Sequence, residues 1–185
     1  MFVLRASSRV SRVLATLLLA ATATSLAAQA PPQRGALSQA RLAKEVRHVL
    51  VTLPYYSVFD NLAYSVDADH VTLVGQVVNP TLKSDAEKAV KSIEGVATLD
   101  NKIEVLPPSP MDDQIRRAVF RAVYSAPGME KYAIQAVPPI HIIVKGGNVT
   151  LVGVVATQMD KTLAKTRANS VPGVFSVTDQ LTAER

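Results

Sequence analysis

The sequence predicts an α+β protein made of two tandem αββαβ domains, each a three-stranded sheet packed against two helices. Three observations predict it: an internal repeat, alternation of apolar residues inside the repeated segment, and a proline-rich break between the copies. Val71, Thr72, Leu73, Val74, Gly75 and Val77 recur, seventy-eight residues on, as Val149, Thr150, Leu151, Val152, Gly153 and Val155. The same shift carries Gly95 and Val96 onto Gly173 and Val174, Leu99 onto Val177, Asn101 onto Asp179 and Ile103 onto Leu181. Self-similarity sustained over about 33 residues marks a duplicated supersecondary unit. Between the copies, Pro107, Pro108 and Pro110 can continue neither a helix nor a central strand, so residues 107–110 read as a linker.

The elements follow in order. In the first copy, Leu42, Val46, Val49, Leu50 and Leu53 recur at helical spacing after Ser38, a good N-cap, and the pattern stops at Pro54. Its counterpart places Ile115, Ala118, Val119 and Ala122 after Ser109 and Pro110, with Asp112 and Asp113 at the positive end of the helix and Pro127 closing it. Leu62, Tyr64 and Val66 then alternate with small or polar residues, and residues 67–70 turn the chain into the Val71 strand. Ile140, Ile142 and Val144 repeat this ahead of Gly146 and Gly147, which permit the positive φ angles of a tight hairpin. A second helix starts at Asn79 and Pro80, carries Leu82, Ala86, Ala89, Val90 and Ile93 on one face and is closed by Gly95. Thr157, Ala164, Ala168, Val171 and Gly173 match it, and final strands are predicted from Val96 to about Val105 and from Val174 to about Ala183. Gly75 and Gly153 fall in mid-strand, where glycine is unfavourable unless another element approaches closely; a crossing helix is the expected one. The second copy carries five extra residues between its first helix and its hairpin, within residues 128–139.

The N-terminal 28 residues read as a secretory signal peptide. Arg5, Arg9 and Arg12 precede an apolar run too short to span a bilayer, and small residues follow around Ala27 and Ala28. Residues 29–37 are then expected to be a flexible lead into a first domain at 38–106, with the second at 111–185. Removing the leader takes away three of twenty basic residues and none of fifteen acids, lowering the net charge from +5 to +2. A surplus that small, with no clustered basic module, points away from nucleic acid as a partner. Zero cysteines exclude disulfides, thiolate metal sites, a cysteine nucleophile and a lipid-modified N-terminal cysteine.

The Val-Thr-Leu-Val-Gly-x-Val strand, the helix after it, the Gly-Val pair and a strand with Asn101 or Asp179 before an aliphatic resemble the BON domain, over nearly all of residues 38–185. With a leader and two copies, the layout is similar to exported dual-BON proteins of the periplasm. The lipoproteins of the family carry a cysteine that this chain lacks, so the expected location is periplasmic without a lipid anchor. The resemblance implies a non-catalytic module associated with phospholipid binding, envelope maintenance and stress response, or periplasmic chaperoning.

Little in the residues points to chemistry. His48, His70 and His141 have no metal-ligand spacing, and Asp60, Asp67 and Asp69 lack the remaining ligands of a calcium loop. No nucleophile with a base and oxyanion site is evident, so neither a catalytic residue nor a metal or cofactor is predicted. Gly75, Gly95, Gly153 and Gly173 are read as structural. The candidate site is therefore a lipid-contacting surface on the second copy, where Arg116, Arg117 and Arg121 meet anionic headgroups while Tyr124, Met129 and Tyr132 insert shallowly. The expected partner is an anionic phospholipid surface or an envelope protein. Two other readings stay open: a holdase for unfolded clients, which needs a contiguous apolar patch, and an interaction module pairing through a strand edge.

Overall fold

The computed structural model describes residues 33–135 and 137–184, so the predicted signal peptide lies outside the described residues. The first copy runs α1 (Gln33–Val51), β1 (Asn61–Asp67), β2 (His70–Val77), α2 (Pro80–Lys91) and β3 (Thr98–Val105). The second runs α3 (Pro110–Tyr124), a 3-10 turn (Glu130–Tyr132), β4 (Ile140–Lys145), β5 (Asn148–Val155), α4 (Gln158–Asn169) and β6 (Ser176–Ala183). Each copy forms one three-stranded sheet, ordered β1-β2-β3 and β4-β5-β6, with an antiparallel hairpin followed by a parallel third strand. The helix between the second and third strands supplies the crossover that a parallel pair requires.

The central strands carry the pattern that builds the cores. Strand alternation points Val71, Leu73 and Val77, and likewise Val149, Leu151 and Val155, to the helix-covered face, where all six are buried. Leu42, Val46 and Leu50 of α1 with Leu82, Ala86 and Val90 of α2 close the first core. Ile115, Val119 and Val123 of α3 with Ala164 and Ala168 of α4 close the second.

Gly75 and Gly153 meet a different neighbour from the predicted helix. Each stands at positive φ, +127° and +137°, where a Cβ would lie 2.0 Å from the Asn61 carbonyl oxygen and 1.9 Å from that of Pro139. The close approach is thus the entry of the hairpin's first strand, since Leu62 pairs with Gly75 and Ile140 with Gly153. Asn101 and Asp179 also acquire a physical role. Each accepts the backbone N–H two residues on, Ile103 at 3.2 Å and Leu181 at 3.0 Å, and so occupies a donor on an edge strand. Asn101 also donates to the Lys83 carbonyl of α2, and Lys161 of α4 lies 3.8 Å from Asp179, so both side chains anchor the edge to its helix.

Several boundaries depart from the sequence reading. Ser38 lies inside α1, which begins at Gln33; the nearest helix-limiting residues in the sequence are Pro31 and Pro32 rather than the serine. Residues 33–37 of the expected flexible lead are therefore helical. Ser109, Asn79 and Thr157 do cap α3, α2 and α4, accepting from the N–H of Asp112, Thr81 and Asp160. Helix α2 ends at Lys91 with Ser92 as its cap, and Gly95, at φ +99°, belongs to the turn beyond; Gly173 holds the matching place at +87°. The last strands start at Thr98 and Ser176, two residues later than the apolar pattern alone placed them.

The copies are joined by more than their linker. Val58, between α1 and β1, accepts the N–H of Ile142 on the outer edge of β4 at 2.8 Å, and its side chain is part of the second core. Phe59 meets Phe120 edge to face, and Tyr56 stacks near His141 with ring centroids 5.6 Å apart. The loop is held by Asp60, which is buried and accepts from the Ser57 N–H and hydroxyl and from the Val78 N–H. Burial, then the Asp60 charge, pushes the Tyr56 phenol up to about 12, and burial lowers the pKa of His141, so both rings are neutral near pH 7.

The longer loop of the second copy is pinned to α4. The Tyr132 hydroxyl donates to Asp160 at 2.7 Å and accepts the Ala156 N–H at 2.7 Å, while Lys131 donates to the same carboxylate at 2.9 Å. Burial would raise the Asp160 pKa, but hydrogen bonds from Lys131, Tyr132 and the Thr157 cap outweigh it and hold the carboxyl below its ordinary value.

Two predictions follow from this packing. Gly153→Ala forces a Cβ into the Pro139 carbonyl at a φ unsuited to alanine; denaturant unfolding is expected to show a loss of at least about 2 kcal/mol, against a few tenths for Gly146→Asn in the open hairpin turn. The Asp160 contribution is fully present above the unfolded carboxyl pKa, about 3.9, and is lost as pH falls through the lower folded value. Unfolding of the wild type is therefore expected to lose stability below about pH 4 faster than that of Asp160→Asn, and parallel pH profiles would contradict the pinned loop.

Candidate functional site

The residues predicted to touch lipid divide sharply once α3 is folded. Helical spacing turns Ile115, Val119 and Val123 inward, and Arg116 follows them at 3% exposure. Its Nη2 donates to the Val144 carbonyl at 2.8 Å and its Nη1 pairs with Asp113. One turn earlier, Asp112 is also buried and accepts the N–H groups of Gly146 and Gly147 at 2.9 and 2.8 Å. Asp112 and Arg116 thus clamp the β4–β5 hairpin to α3. In the first copy Gln39 does the second of these jobs, donating to the Val66 carbonyl at 2.7 Å.

Tyr124, Met129 and Tyr132 are buried as well. The Tyr124 hydroxyl donates to the Ile140 carbonyl at 2.6 Å and accepts the Ile140 N–H, fixing the start of β4. Met129 is fully enclosed in the second core, and Tyr132 holds Asp160. Burial corrects the predicted accessibility of Arg116, Tyr124, Met129 and Tyr132: in this fold none of the four presents its side chain to a membrane. The reason is geometric, because Arg116 lies 300° around the helix from Ile115's successor turn at Val119, on the inward arc, while Arg117 and Arg121 lie on the outward arc.

Arg117 and Arg121 are exposed, as predicted. The structure adds Lys165 and Arg167, exposed on α4, where the basic residues are separated by neutral ones and form no adjacent pair like Arg116 and Arg117 to mark them in the sequence. Every carboxylate of these two helices is turned to an internal partner: Asp112 to the hairpin, Asp113 to Arg116, Asp160 to Lys131 and Tyr132. The four cations have no ion pair among the described residues. In the same copy, Ile134 in the longer loop and Met159 in the first turn of α4 are 84% and 80% exposed. The first copy is more mixed: exposed Arg41, Lys44 and Arg47 share α1 with exposed Glu45, and Glu87 of α2 pairs with Lys91 at 2.6 Å.

Among the described residues, no group of three or more His, Asp or Glu side chains is placed to hold a metal ion, and no helix is long and apolar enough to cross a membrane. Comparison with known proteins bears on the fold. A family model described as the BON domain matches residues 38–107 and 112–185. No curated protein matches the chain. Among solved structures, the C-terminal domain of CdsD, the structural protein of the type III secretion system of Chlamydia trachomatis, is similar at 12% identity, covering 78% of this chain and 98% of that one with a TM-score of 0.32. A second structure of CdsD gives 12% identity, 78% and 94% coverage and a TM-score of 0.30; likeness of this degree carries no argument about activity. Each matched segment runs from within the first helix of one αββαβ unit through its last strand, both units are built on the same glycine-bearing central strand, and the chain belongs to the BON domain family.

Proposed function

We propose that this chain is a non-catalytic, exported envelope protein that rests on anionic phospholipid surfaces through the helical layer of its second BON domain. BON domains are generally associated with phospholipid binding, which supplies the class of partner. The observation that carries the reading is the charge arrangement: Arg117, Arg121, Lys165 and Arg167 face solvent while the helices' own carboxylates are bound inward. Each cation near an anionic bilayer contributes about 1 kcal/mol, so several acting together give weak, salt-sensitive association. Ile134 and Met159, both exposed in the same copy, supply two apolar side chains for shallow insertion. Such binding needs no catalytic group, and the periplasmic location expected from the leader puts the domain beside membrane surfaces on both sides.

Vesicle flotation tests this directly. The chain is expected to float with phosphatidylglycerol-containing vesicles at low salt and to be released near 1 M salt, where the Debye length is about 3 Å. Reversing two charges, Arg121→Glu with Lys165→Glu, is expected to weaken association by at least about tenfold with circular dichroism unchanged. Equal flotation of that variant, or indifference of the wild type to lipid charge, would rule the reading out.

A further inference from the structure

The seam between the two copies contains a cleft of about 290 Å³, lined by Tyr55, Phe59 and Asp60 from the first copy and Asp113, Arg116 and Arg117 from the second. Three features of these residues have no use in the fold as it stands. Tyr55 has φ +67°, a left-handed backbone that is an outlier for a bulky residue, yet the residue is 74% exposed and gains little packing in return. The matching position after the first helix of the second copy, one residue beyond Pro127, is Gly128 at φ +85°, the residue that this conformation ordinarily takes. Arg116 is buried with its Nε lacking any hydrogen-bond partner. Arg117, beside it, is exposed without an ion pair among the described residues.

The charges around the cleft restrict what fits. A simple anion would meet the Arg117 guanidinium but also the half-exposed Asp113 carboxylate, and a simple cation would meet the reverse. Asp60 is saturated by Ser57 and Val78, whereas the Asp113 carboxylate pairs with Arg116 and keeps a 45% exposed side chain. A ligand carrying both signs a few bonds apart satisfies the set. We infer that the seam cleft binds a zwitterionic phosphoamine of the ethanolamine type, its phosphate against Arg117, its ammonium against Asp113 and the face of Tyr55. Arginine suits phosphate through its planar fork of donors, and an ammonium over an aromatic face gains from the ring quadrupole. The cleft is near the lower end of the range of roughly 300–1,000 Å³ typical of small-molecule sites, which suits a headgroup and leaves no room for acyl chains. As a lipid headgroup, the ligand rests on the phospholipid reading above; as a soluble phosphoamine it does not.

The test is amide chemical-shift mapping of the full chain with O-phosphoethanolamine. Shifts are expected at residues 55–60 and 113–117, with inorganic phosphate and ethanolamine, added separately, at least about tenfold weaker. Tyr55→Gly is expected to be as stable as the wild type or more so in denaturant, because strain is relieved, while its affinity falls roughly tenfold. Arg117→Gln is expected to lose affinity by a similar factor. Absence of shifts at the seam, equal response to phosphate alone, or wild-type affinity in both variants would overturn the assignment. Phosphatidylethanolamine vesicles that displace the soluble probe identify a lipid source, and failure to displace it identifies a soluble one. Arg121→Glu with Lys165→Glu is expected to leave this binding unchanged, so the cleft and the charged helical layer fail or succeed independently.

Discussion

A three-stranded sheet has only one strand with neighbours on both sides, and in this protein that strand has to satisfy two demands at once. Its alternate side chains must be aliphatic, because they form the floor on which both helices of the copy rest; Val71, Leu73 and Val77, and again Val149, Leu151 and Val155, are all buried for this reason. Its third position in the series, Gly75 or Gly153, must carry no side chain, because the incoming strand brings a carbonyl to within about 2 Å of where a Cβ would stand. Hairpin register follows from the glycine, helix placement from the aliphatics, and the parallel third strand from the crossover helix. A motif of seven residues thus sets most of the geometry of a unit about ten times longer.

Where the two copies differ, the differences bear on what holds them together and what they expose. The first copy ends its α1 with a short loop that reaches across to the edge of β4, lends Val58 to the neighbouring core and is braced by Asp60. The second copy replaces that reach with a longer loop folded back on its own α4 through Tyr132 and Asp160. One loop therefore joins and the other closes. The joined edge of β4 is no longer free for strand addition, and β3 and β6 each have a donor occupied by Asn101 or Asp179, which lowers the capacity of the sheets to pair with a foreign strand.

The functional reading rests on separating structural charges from idle ones. Asp112, Asp113, Arg116 and Asp160 hold backbone groups or one another, so their removal would report on folding before it reported on binding. Arg117, Arg121, Lys165 and Arg167 have no ion pair among the described residues, and surface cations of that kind are the ones whose energy is available to a ligand or a membrane. The helical layer and the seam share Arg117, but Arg121 and Lys165 lie outside the seam cleft, which is why the two sites can be tested apart.

The duplication, the order of elements in each copy, most helix caps and the apolar faces were all determined by the sequence alone. These depend on period, on short-range capping and on turn chemistry, which are written locally in residues such as Asn79, Pro80, Gly146 and Gly147. The sequence also located the mid-strand glycines, though not their neighbour, because contact across a sheet depends on register. Tertiary structure alone decided which basic and aromatic residues of the second copy are reachable. Arg116 and Arg117 are adjacent in the chain, and composition treats them alike; a rotation of about 100° per residue sends one to the Val144 carbonyl and the other into solvent. Tertiary structure also decided that Val58, distant by eighty-odd residues from its hydrogen-bond partner Ile142, completes a core that is not its own, since no local pattern encodes a contact between copies.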